Sequence, residues 1–333
     1  MKAVRVPKER AEEIRKLAER NGVKDKNRLI ITEGDFVEIP IVDGSEHLFR
    51  EFEIVEQENP SFAKKRDLRT VLKGIVPESI IPKSYKIIGD IIMVKLSDEV
   101  SKMEECKKLI GETLLKLHPN CKAVWWDKGR EGMLRRPKME LIAGNGSETL
   151  HRENGCIFKL DVTKVMFSLG NQAERMRVSK LVTDGEIVVD MFAGIGYFTI
   201  PISVHSKAER IYAIEINPDS YGYLIENIGL NGINNVIPIL GDSMFITPEK
   251  VADRVIMGHI YCHDFLPAAI RALDGSGIIH YHESTPEVVI DRPVRRVEKA
   301  CSRMGKRCKI LNFRKVKNYS PGVYHVVVDA KVY

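Results

Sequence analysis

The chain has 333 residues, 44% hydrophobic and 29% charged, with a formal net charge of +6. That length predicts more than one domain, and no apolar run approaches the ~18 residues of a membrane-spanning helix. The modest positive charge allows an acidic partner without demanding one.

The opening Met-Lys-Ala-Val-Arg has no apolar signal core and runs into a charged helix, which predicts a cytoplasmic protein. Pro7-Lys8-Glu9-Arg10 reads as a helix start, and Ala11, Ile14, Leu17 and Ala18 then recur at helical spacing up to Asn21-Gly22. Residues 29–31 and 36–41 read as strands around a Glu-Gly-Asp turn, completing a small α+β module over 1–55. The following polar stretch, with Asn59-Pro60, reads as a linker over 56–69. A second α+β region covers 70–160. It holds a strand over 87–94 interrupted at Gly89-Asp90, an amphipathic helix over 103–117, strands at 123–126 and 139–143, a turn over 151–155 and a strand at 156–160.

The last region, 161–333, is organised around Glu-Ile-Val-Val-Asp-Met-Phe-Ala-Gly-Ile-Gly-Tyr-Phe at 186–198. Residues 187–189 make a β-branched strand that stops at Asp190 and enters a turn carrying Gly194 and Gly196 before a helix. A dinucleotide site wants three glycines for its pyrophosphate. Two glycines and a strand-end acid suit instead a cationic or amino-bearing ligand such as S-adenosylmethionine.

Further strands support this cofactor. Residues 211–214 end in Glu215, 25 positions after Asp190, where a carboxylate accepts from ribose hydroxyls. Residues 236–240 lead to Gly241-Asp242-Ser243, where an acid faces an adenine amino group. Each acid alone reads equally as a solvated residue or a helix cap; three at successive strand ends do not. Later strands at 254–257, 277–282, 309–313 and 324–330 complete a doubly wound α/β sheet with an antiparallel final strand, the Rossmann-like class I transferase arrangement.

Charge is unevenly placed. Residues 291–317 hold eleven Lys/Arg against two acids, and residues 102–138 hold ten against five, with Trp125, Trp126 and Arg135-Arg136 among them. Basic side chains interleaved with aromatics suit RNA, though solvated helix faces look the same. Six cysteines (Cys106, Cys121, Cys156, Cys262, Cys301, Cys308) show no metal-ligand spacing, so no metal is expected. A disulfide between Cys301 and Cys308 stays open, as thermophiles carry intracellular ones.

The catalytic half, with Val-Val-Asp-Met-Phe-Ala-Gly-Ile-Gly at 188–196, resembles the archaeal and eukaryotic enzymes that modify the tRNA purine at position 37, over about residues 80–333. One branch of that family methylates guanine at N1. The other synthesises wybutosine, moving the 3-amino-3-carboxypropyl arm of S-adenosylmethionine to C7 of 4-demethylwyosine in tRNA(Phe). The methyl branch carries an Asn-Leu-Pro or Asn-Pro-Pro motif after the fourth strand. Here Met257-Gly258-His259-Ile260 stands there, followed by His263-Asp264-Phe265, and this is similar to the aminocarboxypropyl branch. Ile279-His280-Tyr281-His282 and Ser320-Pro321-Gly322-Val323-Tyr324-His325 are also similar to that branch, and Met166 replaces an aromatic of the methyl branch. The N-terminal module, by contrast, is similar to the one with which the methyltransferases grip the tRNA elbow.

The resemblance implies a monomer acting on the anticodon-loop region of tRNA. It also implies that Ser168 and Arg175 contact the cofactor, that Glu174 is the general base and that Arg135 meets the substrate. Read from residue type alone, Asn171 and Glu174 fit a capping box that leaves Arg175 on an exposed helix face. His259 and His263 have the ordinary chemistry of a proton shuttle near neutral pH. Two other classes remain: an RNA-binding protein with a vestigial pocket, and a nicotinamide oxidoreductase, which the two-glycine turn and Asp190 disfavour.

Overall fold

The computed structural model describes residues 1–57, 60, 67–132 and 135–333, so most of the linker expected over 56–69 lies outside the described residues. Two compact units emerge, Met1–Val71 and Leu72–Tyr333.

In the first unit β1 (Lys2–Pro7), α1 (Ala11–Arg20), β2 (Ile31–Glu33), β3 (Phe36–Pro40) and β4 (Glu53–Glu56) form a sheet of order β2-β3-β1-β4. Val4, Val6, Ile14, Ala18, Ile39 and Phe49 fill its core. Two of these strands were not anticipated. β1 buries Ala3, Val4 and Val6, and its pairing with β3 and β4 comes from residues 29 or more positions away. The chain therefore opens with a central strand rather than running straight into the helix.

The second unit follows α2 (Leu68–Leu72), whose last residue it includes. β5 (Tyr85–Ile88) and β6 (Ile91–Val94) turn antiparallel at Gly89-Asp90, so the interrupted strand is a hairpin. α3 (Glu104–Leu117) crosses over to β7 (Ala123–Glu131), parallel to β6, and β8 (Arg136–Gly144) closes a four-stranded sheet. β9 (Glu148–Glu153) and β10 (Cys156–Asp161) form a separate hairpin, so residues read as a turn over 151–155 are largely strand.

The remainder is α4 (Gln172–Leu181), β11 (Ile187–Asp190), α5 (Thr199–His205), β12 (Arg210–Glu215), α6 (Pro218–Leu230), β13 (Val236–Leu240), α7 (Ser243–Ile246), β14 (Ala252–Met257), α8 (Leu266–Ala272), β15 (Leu273–Pro286), α9 (Arg292–Arg303), β16 (Cys308–Ser320) and β17 (Val323–Val332). Seven strands assemble in the order β13-β12-β11-β14-β15-β17-β16, parallel except for β17 against its neighbours. The reversal between β12-β13 and β14-β15 falls beside β11. This is the point where such sheets hold ligands at their carboxyl ends. Val189, Val255, Ile279 and Val328, on adjacent strands, are buried in one cluster that α8 and α9 cover. Cys301 and Cys308 are free thiols. Among the described residues no helix is long and apolar enough to cross a membrane.

Candidate active site

The carboxyl ends of β11, β12, β13 and β14 open onto a cavity of about 660 Å³. Its glycine turn uses both glycines, for different reasons. Gly194 (φ +58°) lines the cavity, and a Cβ there would lie 2.3 Å from the Tyr197 ring. Gly196 (φ +100°) does not line it; a Cβ there would meet Ile200 at 2.5 Å, so this glycine seats the turn on α5. Asp190 likewise stays behind the wall. It is fully buried, accepts from Thr199 Oγ1 at 2.8 Å and from the Phe192 N–H, and burial pushes its carboxyl up to about 6. The sequence had placed this acid against the ligand's charge; the structure makes it the latch of the turn.

Glu215 does line the cavity, each carboxylate oxygen accepting one backbone N–H at 2.7 Å, from Gly194 and from Asn217. Burial raises its carboxyl above the ordinary range against those bonds. An anchored carboxylate keeps a free lone pair on each oxygen for ribose hydroxyls. Asp242 and Ser243 line the next stretch, and Asp242 also caps α7 by accepting from Met244 N–H at 2.9 Å.

At the other end the helix cap foreseen from sequence is absent: Asn171 makes no side-chain capping bond. Arg175 is not exposed either, at 1%. Its guanidinium lies 4.8 Å from the Phe167 ring and 5.2 Å from Tyr197, and its terminal nitrogens reach Glu153 and the Ser168 carbonyl. The fork expected to hold a ligand carboxylate is thus engaged within the protein. Ser168 lines the cavity and accepts from Lys317 Nζ at 2.9 Å, an amine that burial lowers to about 8. Glu174 does not line it. One residue before Arg175 and about 100° round the helix from it, its carboxylate pairs with Arg177 at 2.6 Å and Arg314 at 3.5 Å. The base that the resemblance implied therefore points into an ion-pair network.

Arg135 and His259 both reach the cavity. His259 stacks on Phe192 (5.5 Å between centroids, 29° between planes) and meets Tyr261 edge-on. Burial, with Arg135 nearby, takes it down to about 4. It is therefore neutral at pH 7 and forms part of the cavity's aromatic wall. His263 is exposed and pairs with Asp264, outside the lining. Tyr261 and Tyr319, whose hydroxyls lie 3.2 Å apart, extend the aromatic wall. Sequence reasoning missed Arg130, Tyr261 and Tyr319, which come from distant strands and turns with no motif. Asn171 was in view but was assigned to a cap.

The residues present fit an adenosyl cofactor with an amino-acid arm. Acids and arginines both line it, and Arg135 Nε and Asn171 Oδ1 are buried without a protein partner among the described residues. Fold and cavity together define a class I S-adenosylmethionine-dependent transferase.

Family models divide the chain in three: a tRNA methyltransferase 5 N-terminal domain at 3–49, a TYW2 N-terminal domain at 68–147, and a TRM5/TYW2 methyltransferase domain at 149–311. It is 45% identical over 250 residues to a tRNA(Phe) (4-demethylwyosine(37)-C(7)) aminocarboxypropyltransferase of Methanocaldococcus jannaschii, covering 74% of this chain and 97% of the relative. To the tRNA (guanine(37)-N(1))-methyltransferase Trm5b of Pyrococcus abyssi it is 38% identical over 336 residues, covering 99% and 98%. The crystal structure of M. jannaschii TYW2 in complex with AdoMet superposes with a TM-score of 0.62 at 40% identity, covering 75% of this chain and 99% of that one. The chain belongs to the TRM5/TYW2 family.

Proposed function

We propose that this protein transfers the 3-amino-3-carboxypropyl group of S-adenosylmethionine to C7 of 4-demethylwyosine at position 37 of tRNA(Phe). The observation that carries this reading is the wall after β14. Where the methyl branch has an amide to grip guanine, this chain offers Gly258 and a neutral, stacked His259. A Cβ at Gly258 would lie 2.9 Å from Phe198, so this backbone approaches the ring as only glycine can. The 45% identity to the M. jannaschii aminocarboxypropyltransferase points the same way.

S-adenosylmethionine supplies, when bound, a sulfonium whose adjoining carbons are activated toward a nucleophile. Glu215 holds the ribose, Asp242 and Ser243 the adenine edge, Gly194 and Ser168 the neighbouring walls. Asp190 and Gly196 fix the shape of these walls from behind, Arg175 braces the wall at Ser168, and His259 with Tyr261 and Tyr319 stacks the base. Orientation of the arm decides the product, an effect worth several kcal/mol near attack distance. Residues 1–55 serve as a tRNA-gripping module and 70–160 as an RNA-binding domain, with 161–333 catalytic. The enzyme acts as a cytoplasmic monomer at the anticodon loop.

A specific observation favours the alternative, guanine N1 methylation: residues 3–49 match the N-terminal domain model of the methyltransferases. S-adenosylmethionine labelled at its methyl or its carboxyl carbon separates the two, given tRNA(Phe) bearing 4-demethylwyosine or guanosine at position 37. Carboxyl label entering the demethylwyosine tRNA, with methylthioadenosine released, is expected. Methyl label entering guanosine tRNA would overturn the proposal.

A further inference from the structure

Substitution at C7 leaves one proton to be removed from the ring, and the acids around the cavity are engaged elsewhere. Glu215 accepts two backbone N–H groups, Asp242 caps α7, and Glu174 pairs with Arg177 and Arg314. A proton acceptor needs a free lone pair near neutral pH and a path to the reacting atom. Lys317, on β16, has both.

Its Nζ lies 2.9 Å from Ser168 Oγ, and Ser168 lines the cavity. The amine reaches that hydroxyl across Gly170, where a Cβ would stand 3.4 Å from Nζ. The charged groups that act on it are all cations: Lys86 on β5, Arg135 just before β8 and Arg175 on α4. Across the β16–β17 ladder its register partner is His325, which burial first, and Lys317 second, holds at about 4. Behind it, His282 Nδ1 lies 2.9 Å from His325 Nε2, and burial keeps that imidazole neutral too. A lysine kept for its charge is paired or solvated, as Lys315 is, 3.3 Å from Glu287. Lys317 instead loses charge. Burial, and then the three cations, bring its amine down to about 8. About one amine in ten is then neutral at pH 7.

We propose that Ser168 and Lys317 form the proton acceptor of the transfer, Ser168 Oγ taking the proton from C7 while handing its own to the neutral Lys317 amine. The electrons balance. C7 gives a ring electron pair to Cγ of the arm, and the Cγ–S bond breaks with its pair staying on sulfur, which leaves as methylthioadenosine. The ring, now one charge more positive, returns to neutrality when the C7–H pair closes back into it. The proton crosses the serine hydroxyl, and Lys317 becomes an ammonium that releases it to water from its half-exposed position. A hydroxyl flanked by a neutral amine is a known acid–base pairing. This rests on the arm-transfer reading and adds the group that completes it.

The test is single-turnover release of methylthioadenosine from saturating S-adenosylmethionine and tRNA(Phe) bearing 4-demethylwyosine at position 37. With the wild-type chain the rate should climb about tenfold between pH 7 and 9, as the amine becomes neutral. Lys317→Met should lose about 100-fold and the climb with it. Lys317→Arg keeps the positive charge but stays protonated, so it should be as slow as Lys317→Met. Ser168→Ala should also be slow when the cofactor is saturating. Turnover in Lys317→Arg above about a third of wild type would show that Lys317 supplies charge alone, and overturns the proposal. So does a wild-type rate that is flat from about pH 6.5 to 9, which needs no variant to fold. Wild-type chain that releases no methylthioadenosine from this tRNA overturns the arm-transfer reading itself.

Discussion

Two sets of buried polar groups are treated oppositely by the fold. One is a continuous chain: Glu174 to Arg177 at 2.6 Å, Arg177 to Asp329 at 2.6 Å, Asp329 to His280 at 2.6 Å, His280 to Arg254 at 2.7 Å, and Arg254 to Glu186 at 2.6 Å. Although burial pushes Asp329 up, the bonds from His280 and Arg177 prevail and hold it far below the usual carboxylate range. The other lines the cavity, where Arg135 Nε and Asn171 Oδ1 have no partner among the described residues. A low dielectric strengthens completed networks and penalises incomplete ones, so structural groups end up paired and unpaired ones mark where a ligand completes the set. Glu174, singled out as a site residue, belongs by this criterion with the paired groups, while Arg175 belongs to both sets, its terminal nitrogens paired and its Nε without a partner among the described residues.

If so, Arg175→Ala should act first on stability, leaving buried Glu153 with only His151 at 3.5 Å for a partner, at a cost of up to about 3–5 kcal/mol, read by denaturant unfolding. Full stability with selectively lost cofactor affinity would return Arg175 to the ligand-binding set. Next in size is a pH effect. Burial holds His259, His280, His282 and His325 below the ordinary histidine value. As pH falls from about 6.5 toward 4, the unfolded chain takes up protons that the folded chain refuses. Stability should then drop by up to about 1.4 kcal/mol per pH unit for each histidine, and be fully present above pH ~6.5. His325→Gln should flatten that slope, and an unchanged melting temperature from pH 7 to 4 contradicts the assignment.

Glu174→Gln sharpens the comparison further. It should cost about 1–3 kcal/mol of stability while keeping the pH profile of transfer. A loss of about 100-fold in turnover with an altered profile would instead restore Glu174 as the base. The smallest effect expected is at Lys299, exposed on α9. Lys299→Ala should weaken tRNA binding a few-fold and lower the salt slope by about one. Much of the basic run on α9 does structural work, since Arg292 and Arg296 both pair with buried Glu283.

How much of this was legible beforehand follows from the range of the forces involved. Local pattern determined the catalytic sheet. β-branched runs at β11, β12 and β13, each ending near an acid, fixed strands, order and cofactor class, because a buried parallel strand must be apolar and its end must meet the ligand. β13 fell at the anticipated residues, and Glu215, Asp242 and Ser243 line the cavity. Tertiary structure alone decided which charged residues face the ligand and which face each other. Asp190 reads from sequence like Glu215, but its partner Thr199, nine residues on, folds back over it. Arg175 reads like Arg135, but Glu153 on β9 claims it. β1 reads as a lead-in to a helix until β3 and β4 flank it. Hydrophobic periodicity is written along the chain, whereas the partner of a buried charge is chosen by whatever the fold brings within 3 Å of it.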